Sequence, residues 1–148
     1  MKKFSFTQPL TPDLCGKQPK MQPPAAFLLF QNAASLHAEA MAIGNGTAAL
    51  AERDCYWVAT HSKIDFYNDA NLLDMLTVST WVNPAKPNAV RGYRGYDIFV
   101  GDKQIAEGLT EWVVLNRETG FVRCGIQPLQ AHQPWRAGQG RRCRACEI

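Results

Sequence analysis

PAAFLLFQNAASLHAEAMAIG, residues 24–44, is the stretch on which the fold turns. About twenty residues without an internal breaker make roughly 30 Å of α-helix at 1.5 Å per residue. Pro23 and Pro24 stand at the entry, where a missing N–H is tolerated, and Gly44 with Asn45-Gly46 offers a left-handed exit. Phe27, Phe30, Ala34, His37 and Met41 fall on one stripe at three- and four-residue spacing, with Leu28, Leu36 and Ile43 largely off it. Asn32, Ser35 and Glu39 form the one clearly polar strip. A helix apolar over most of its circumference is expected to be wrapped by other structure rather than laid on a surface.

Everything outside that helix reads as sheet and loop. Upstream, KFSFTQPL (residues 3–10) alternates Phe4 and Phe6 in a short strand that Pro9 and Pro12 end, and residues 11–23 form a loop rich in Pro, Gly, Lys and Gln. Downstream, TAALAER (residues 47–53) suits about two helical turns with Thr47 as N-cap. From Cys55 the apolar period changes from 3.6 to 2. CYWVATHSKIDFY places Tyr56, Val58, Thr60, Ser62, Ile64 and Phe66 on one side of a strand. LTVSTWV (76–82) is a second strand, while AVRGYRGYDIFV (89–100) and QIAEGLTEWVVLN (104–116) make a hairpin turned at Gly101-Asp102. A short extended piece is expected at residues 121–124.

A chain of 148 residues is one domain by length and buries enough surface to fold without staples. The net charge of +3 is mild and spread out, so charge gives no reason to expect a nucleic-acid partner. No run approaches the length of a membrane span, and MKKFSF lacks the apolar core of a leader, so the expectation is a cytoplasmic protein with no membrane partner. Five cysteines without regular spacing fit reduced thiols better than a disulfide framework. The chain divides into an ordered domain at residues 1–124 and a tail at 125–148 with Arg136, Arg141, Arg142 and Arg144 and little apolar periodicity, expected to be poorly ordered. Cys143 and Cys146, even with His132, fall short of a tetrahedral zinc set, so neither metal nor cofactor is expected.

The order β-α-β-β-β, with one long apolar helix second and a twisted antiparallel sheet to receive it, points to an α+β hotdog fold, the helix lying in the concave side of the sheet. Several pieces then coincide in order and spacing: Gln31, Ala34, His37, Ala38 and Gly44 on the helix, Thr80-Trp81, Arg94 with Tyr96 and Ile98, Trp112-Val113, Thr119-Gly120 and Arg123. Over about residues 4–124 this text resembles the acyl-ACP thioesterase family, specifically its N-terminal repeat. The resemblance implies hydrolysis of the thioester between a fatty acyl chain and acyl carrier protein. It also implies two hotdog repeats in one chain, with catalytic residues of the second on a segment of the form D-x-N-x-H. In the single repeat here the equivalent loop reads Asp13-Leu14-Cys15-Gly16-Lys17, with Cys15 in place of the Asn and Lys17 in place of the His.

Thioester hydrolysis needs a carboxylate or polar group to hold water near the carbonyl, and an N–H donor for the oxyanion, often from a helix N-terminus. Asp13 is the one carboxylate in the helix-entrance loop and a candidate base or nucleophile; the competing account is a local turn hydrogen bond. Gln31 is a candidate for positioning water or the carbonyl, against a buried amide bonded to a strand. His37 is the candidate general base by its ordinary pKa, against a hydrogen-bonded core histidine, which its place on the apolar stripe favours. Cys15 beside Lys17 is a weaker nucleophile candidate without an evident base. Phe27, Phe30, Ala34 and Met41 are the residues to line an acyl chain between helix and sheet, and would equally fill an ordinary core. Trp57, Trp81 and Trp112 are expected to pack the sheet or a dimer contact, and His61 to face solvent. A lone hotdog unit leaves a sheet edge unsatisfied, so a homodimer or dimer of dimers is expected. The function expected is hydrolysis of acyl-ACP or acyl-CoA thioesters; the alternative is a non-catalytic unit that binds acyl chains or the carrier protein, a relic of a two-repeat enzyme.

Overall fold

The computed structural model describes residues 3–40, 50–84 and 90–120. In chain order these form β1 (Phe4–Pro9), a 3-10 turn (Pro12–Leu14), α1 (Pro23–Ala40), β2 (Cys55–Phe66), β3 (Met75–Val82), β4 (Arg91–Val100) and β5 (Lys103–Asn116). The strands make one antiparallel sheet in the order β1-β3-β4-β5-β2, with α1 on one face. This is the hotdog arrangement. The expected helix at residues 47–53 is represented by helical Leu50 and Ala51; Met41, Gly44, the piece at 121–124 and the tail with its cysteines lie outside the described residues.

The helix buries Phe30, Ala34 and His37 of the expected stripe but turns Phe27 outward. Its sheet-facing side is Ala25, Ala26, Leu29, Phe30, Ala33, Ala34 and His37. Four of those seven are alanines, which let the helix axis come close to the sheet while Leu29 and Phe30 fill the space between them. Phe27, Leu28 and Leu36 are 44%, 56% and 49% exposed, so the described chain leaves the opposite side of α1 uncovered. The core is completed by Leu10 and Leu14 below the helix entrance and by Leu76, Val78, Tyr96, Ile98 and Ile105 from the sheet. Burying a side chain the size of Phe30 contributes about 1.5–3 kcal/mol.

Two glycines permit close approach. A side chain at Gly108 would collide with the ring of Phe30, and one at Gly95 with the indole of Trp81, so each aromatic ring lies directly on a strand backbone. Phe30 also stacks on Tyr96, with centroids 4.5 Å apart and planes 15° from parallel. Trp57 meets Trp112 edge-on at 6.4 Å, and Lys3 lies over Trp81 at 4.4 Å.

The β2 strand departs from simple alternation. A register shift between Ala59 and His61 inserts one extra residue opposite β5, so Ala59 pairs with Trp112 and Ser62 with Thr110. Tyr56 and Val58 therefore face away from α1, whereas Ser62 and Ile64 face it. A period-2 count cannot detect one extra residue, and the expected single face running from Tyr56 to Phe66 is corrected by it.

Candidate functional site

Chemistry-bearing side chains gather at both ends of α1. At its entrance, the 3-10 turn is closed by Leu14 N–H to Thr11 O at 3.0 Å and Cys15 N–H to Pro12 O at 3.1 Å. Leu14 is buried in the core and anchors the turn, while Asp13 beside it is exposed. The rest of the loop is tied down by Gln22 N–H to Leu14 O at 3.1 Å and Met21 N–H to Ala70 O at 2.9 Å. A carboxylate is thus held at the surface on a turn that has little freedom to move.

Beside this loop a cleft of about 580 Å³ is lined by Met21, Pro23, Phe66, Tyr67, Asn68, Asp69 and Ala70. Lys20 bonds Asp69 at 2.6 Å and Lys103 donates to the Asp69 backbone carbonyl at 3.0 Å. The hydrogen bond and charge of Lys20 hold the Asp69 carboxyl below its ordinary range. The helix entrance itself is poor in donors. Pro23 and Pro24 carry no N–H, and the N–H of Ala25 is bonded to Gln22 O at 2.9 Å, which removes much of the usual helix-terminal anion site.

At the other end, His37 lies fourteen residues beyond Pro23, about 21 Å along the axis. His37 is buried, stacked on Phe4 with centroids 5.4 Å apart, and its Nδ1 accepts from the Arg94 guanidinium at 2.8 Å. Arginine is an obligate donor, so that ring nitrogen is the acceptor and Nε2 carries the proton. Nδ1 is thereby engaged, and His37 has the surroundings of a hydrogen-bonded core histidine. Arg94 also donates to Thr80 Oγ1 at 3.2 Å, and the Thr80 hydroxyl donates to Gly95 O at 3.0 Å.

More polar groups share this inward face. Arg94 pairs with Thr110, Tyr96 with Gly108, and Thr110 with Ser62, whose hydroxyl meets that of Thr110 at 3.0 Å. Trp112 follows Thr110 by two residues and so faces the same way. The Tyr96 hydroxyl and Trp112 Nε1 are both buried and make no hydrogen bond of good geometry, although Trp112 and Thr110 lie beside the hydroxyl. Burial pushes the Tyr96 pKa up against the smaller opposing effects of Trp112, Arg94 and Thr110, so it stays a neutral donor. Burial lowers the pKa of Arg94, and no carboxylate among the described residues pairs with it.

The three candidate catalytic residues are therefore not brought together. Asp13 sits at the entrance, Gln31 is exposed on the side of α1 facing away from the sheet, and His37 is buried at the far end. Of the candidate lining residues, Phe30 and Ala34 face the interior and Phe27 faces out. The inward cluster of Arg94, Tyr96, Thr110 and Trp112 was not singled out for chemistry from sequence. Strand parity was the available signal: Arg94 shares the inward parity of the apolar Ile98, and Thr110 that of Ala106. Cys15 is a partly exposed free thiol and Cys55 a buried one. Among the described residues no helix is long and apolar enough to cross a membrane.

A family model described as the acyl-ACP thioesterase N-terminal domain matches residues 3–123. The chain belongs to the acyl-ACP thioesterase family. No curated protein sequence matches the chain. Among solved structures it is similar to an acyl-ACP thioesterase from Bacteroides thetaiotaomicron, with a TM-score of 0.74 and 19% identity over 90% of this chain and 58% of that one. The 12:0-ACP thioesterase from Umbellularia californica gives 0.71 and 19% over 82% and 48%. A probable thioesterase from Bartonella henselae gives 0.73 and 17% over 83% and 98%. This acyl-ACP thioesterase family member thus spans about half the length of the two acyl-ACP enzymes and nearly all of the Bartonella chain. At these identities the likeness extends to the hotdog fold.

Proposed function

We propose that this domain hydrolyses fatty acyl thioesters of acyl carrier protein or coenzyme A, with Asp13 as the working carboxylate. The observation that carries this is Asp13 itself: an exposed carboxylate on a turn anchored by buried Leu14, at the helix entrance of an acyl-ACP thioesterase family fold. In that role Asp13 takes a proton from water as the oxygen attacks the thioester carbonyl. The C–S bond then breaks to leave a carboxylic acid, and the departing thiolate takes up a proton.

The site is completed in a homodimer. β2 is a twelve-residue strand at the sheet edge with one side unpaired within the described chain, and joining two copies there continues the sheet. The same association brings a second α1 to the exposed side that carries Phe27, Leu28 and Gln31, and gives Gln31 a partner-facing position from which to hold water.

A second reading has its own support. With Pro23 and Pro24 lacking N–H groups and the Ala25 N–H engaged, the helix entrance has few donors for an oxyanion. That favours a unit which binds acyl chains or their carrier without cleaving them. Thiol release from a series of acyl-CoA and acyl-ACP substrates, with Asp13→Ala alongside the wild type, separates the two. Turnover that disappears in Asp13→Ala supports hydrolysis at the entrance; no turnover on any thioester, from a folded dimer, supports the binding unit. A species of monomer mass by size exclusion with light scattering overturns the dimer.

A further inference from the structure

We propose that the outer face of the sheet, the one turned away from α1, is a docking surface for this chain's own arginine-rich segment at residues 135–144, WRAGQGRRCR. This docking is separate from thioester hydrolysis and stands whether or not Asp13 is catalytic.

A row of polar side chains crosses that face. The strand registers place Ser5 beside Ser79, Ser79 beside Asp97, Asp97 beside Glu107 and Glu107 beside Asp65, all on the side opposite Val78, Ile98 and Ala106. Three carboxylates on neighbouring strands repel one another. Lys3 meets Asp97 Oδ2 at 2.7 Å and Lys63 meets Asp65 at 2.9 Å. Glu107, between those two carboxylates, receives hydrogen bonds from Gln104 and Tyr67, which are both neutral. The Asp97 side chain is 8% exposed, and its Oδ1 is buried without a hydrogen-bond partner. Buried polar atoms are nearly always bonded, so the Asp97–Glu107 pair lacks a cation.

Arginine is the cation that fits. Its planar fork bridges carboxylate oxygens, and its flat face packs on aromatic and apolar side chains. Trp81 and Leu109 stand in the next row of the same face, and Leu109 and Met75 are exposed there. The segment brings Trp135 with Arg136, Arg141, Arg142 and Arg144, and no acidic residue. The chain also leaves the sheet on this side. Just after β5, Arg117 lies over the ring of Tyr56 at 5.7 Å, and Tyr56 belongs to the outer face. The turn that follows is closed by Gly120 N–H to Asn116 O at 2.9 Å and by Asn116 Oδ1, which accepts from the N–H groups of Glu118 and Thr119. From Asn116 back to the level of Glu107 is ~30 Å of strand, and residues 121–136 span ~50 Å when extended. Arg136 and the arginines beyond it therefore reach the row.

The test places the photo-crosslinking residue p-benzoylphenylalanine at position 109 of the full chain and, as a control, at position 36 on the exposed side of α1. Crosslinks from position 109 to residues 125–148 of the same chain are expected, at a yield ~5-fold or more above that from position 36. Glu107 is exposed, so Glu107→Lys should keep the urea midpoint while lowering that yield ~5- to 10-fold. Arg141→Glu with Arg142→Glu is expected to lower it similarly, and combining those changes with Glu107→Lys to restore it. The arginine changes lie outside the described sheet, so they give the same reading should Glu107→Lys not fold. An equal mixture of isotope-labelled and unlabelled chains shows whose segment is captured. Equal yields from the two positions, or yields unmoved by the charge changes, overturn the proposal. Crosslinks that join labelled to unlabelled chains overturn it too, because a second copy then supplies the segment.

Discussion

The two ends of α1 are built on opposite principles. At the entrance a carboxylate, Asp13, is exposed on a braced loop, with a wide cleft and paired charges such as Lys20 and Asp69 nearby. At the inner end a cation, Arg94, is partly buried among neutral donors, and no carboxylate among the described residues balances it. An exposed ion interacts mainly with water and has little leverage on the fold, whereas a desolvated one constrains every neighbour. The entrance therefore has little hold on the fold, whereas the inner end is tied to its neighbours.

Phe30 divides the two regions, and changing it is the most severe way to break the comparison. Phe30→Ala removes the ring between Gly108 and Tyr96, with an expected loss of about 3–5 kcal/mol by urea unfolding. Phe27→Ala, on the exposed side of the same helix, is expected to change stability by less than about 0.5 kcal/mol when measured below any dimerisation concentration. Similar losses from the two would mean that both sides of α1 are packed.

A smaller effect, read in rate rather than stability, comes from the entrance. Asp13→Ala is expected to lower thiol release by ~100-fold or more while leaving the urea midpoint in place, because the side chain is exposed. At the inner end Thr80→Val removes one acceptor from Arg94 and the buried bond to Gly95 O, and should cost about 1–2 kcal/mol of stability. A neutral Thr80→Val would show that Arg94 is not held by that hydroxyl.

The least effect is one of acidity at the entrance. Lys20 lowers the Asp69 pKa, so any stability from this pair is present above the ordinary carboxylate range and fades as pH falls through the depressed value. Asp69→Asn should therefore narrow its deficit against the wild type on acidification, visible as converging thermal midpoints. Both groups are well exposed and the effect is correspondingly slight.

Much of this was legible in the amino acids. Prolines at residues 23 and 24 and an unbroken run after them announced α1, and alternation with turn residues announced the strands and the β4–β5 hairpin, because these signals are local. The order of elements then left few ways to bury an apolar helix, so the hotdog fold followed. Which side of α1 is buried was not local information: Phe27 looks like core by spacing, but the alanines at 25, 26, 33 and 34 allow the nearer approach and Phe27 is turned outward. The extra residue near Thr60 in β2 was equally hidden, since a bulge is defined by the strand opposite.

For the candidate site, one part was readable from neighbours in sequence: Asp13 in a loop before a helix. Tertiary structure alone decided that Gln31 points away from the sheet, that the Nδ1 of His37 is held by Arg94, and that the Tyr96 hydroxyl is buried beside Trp112 and Thr110. Those outcomes depend on which strands pair and in which register. Residues from α1, β3, β4 and β5 reach one point only when the sheet has formed, and no spacing along the chain encodes that distance.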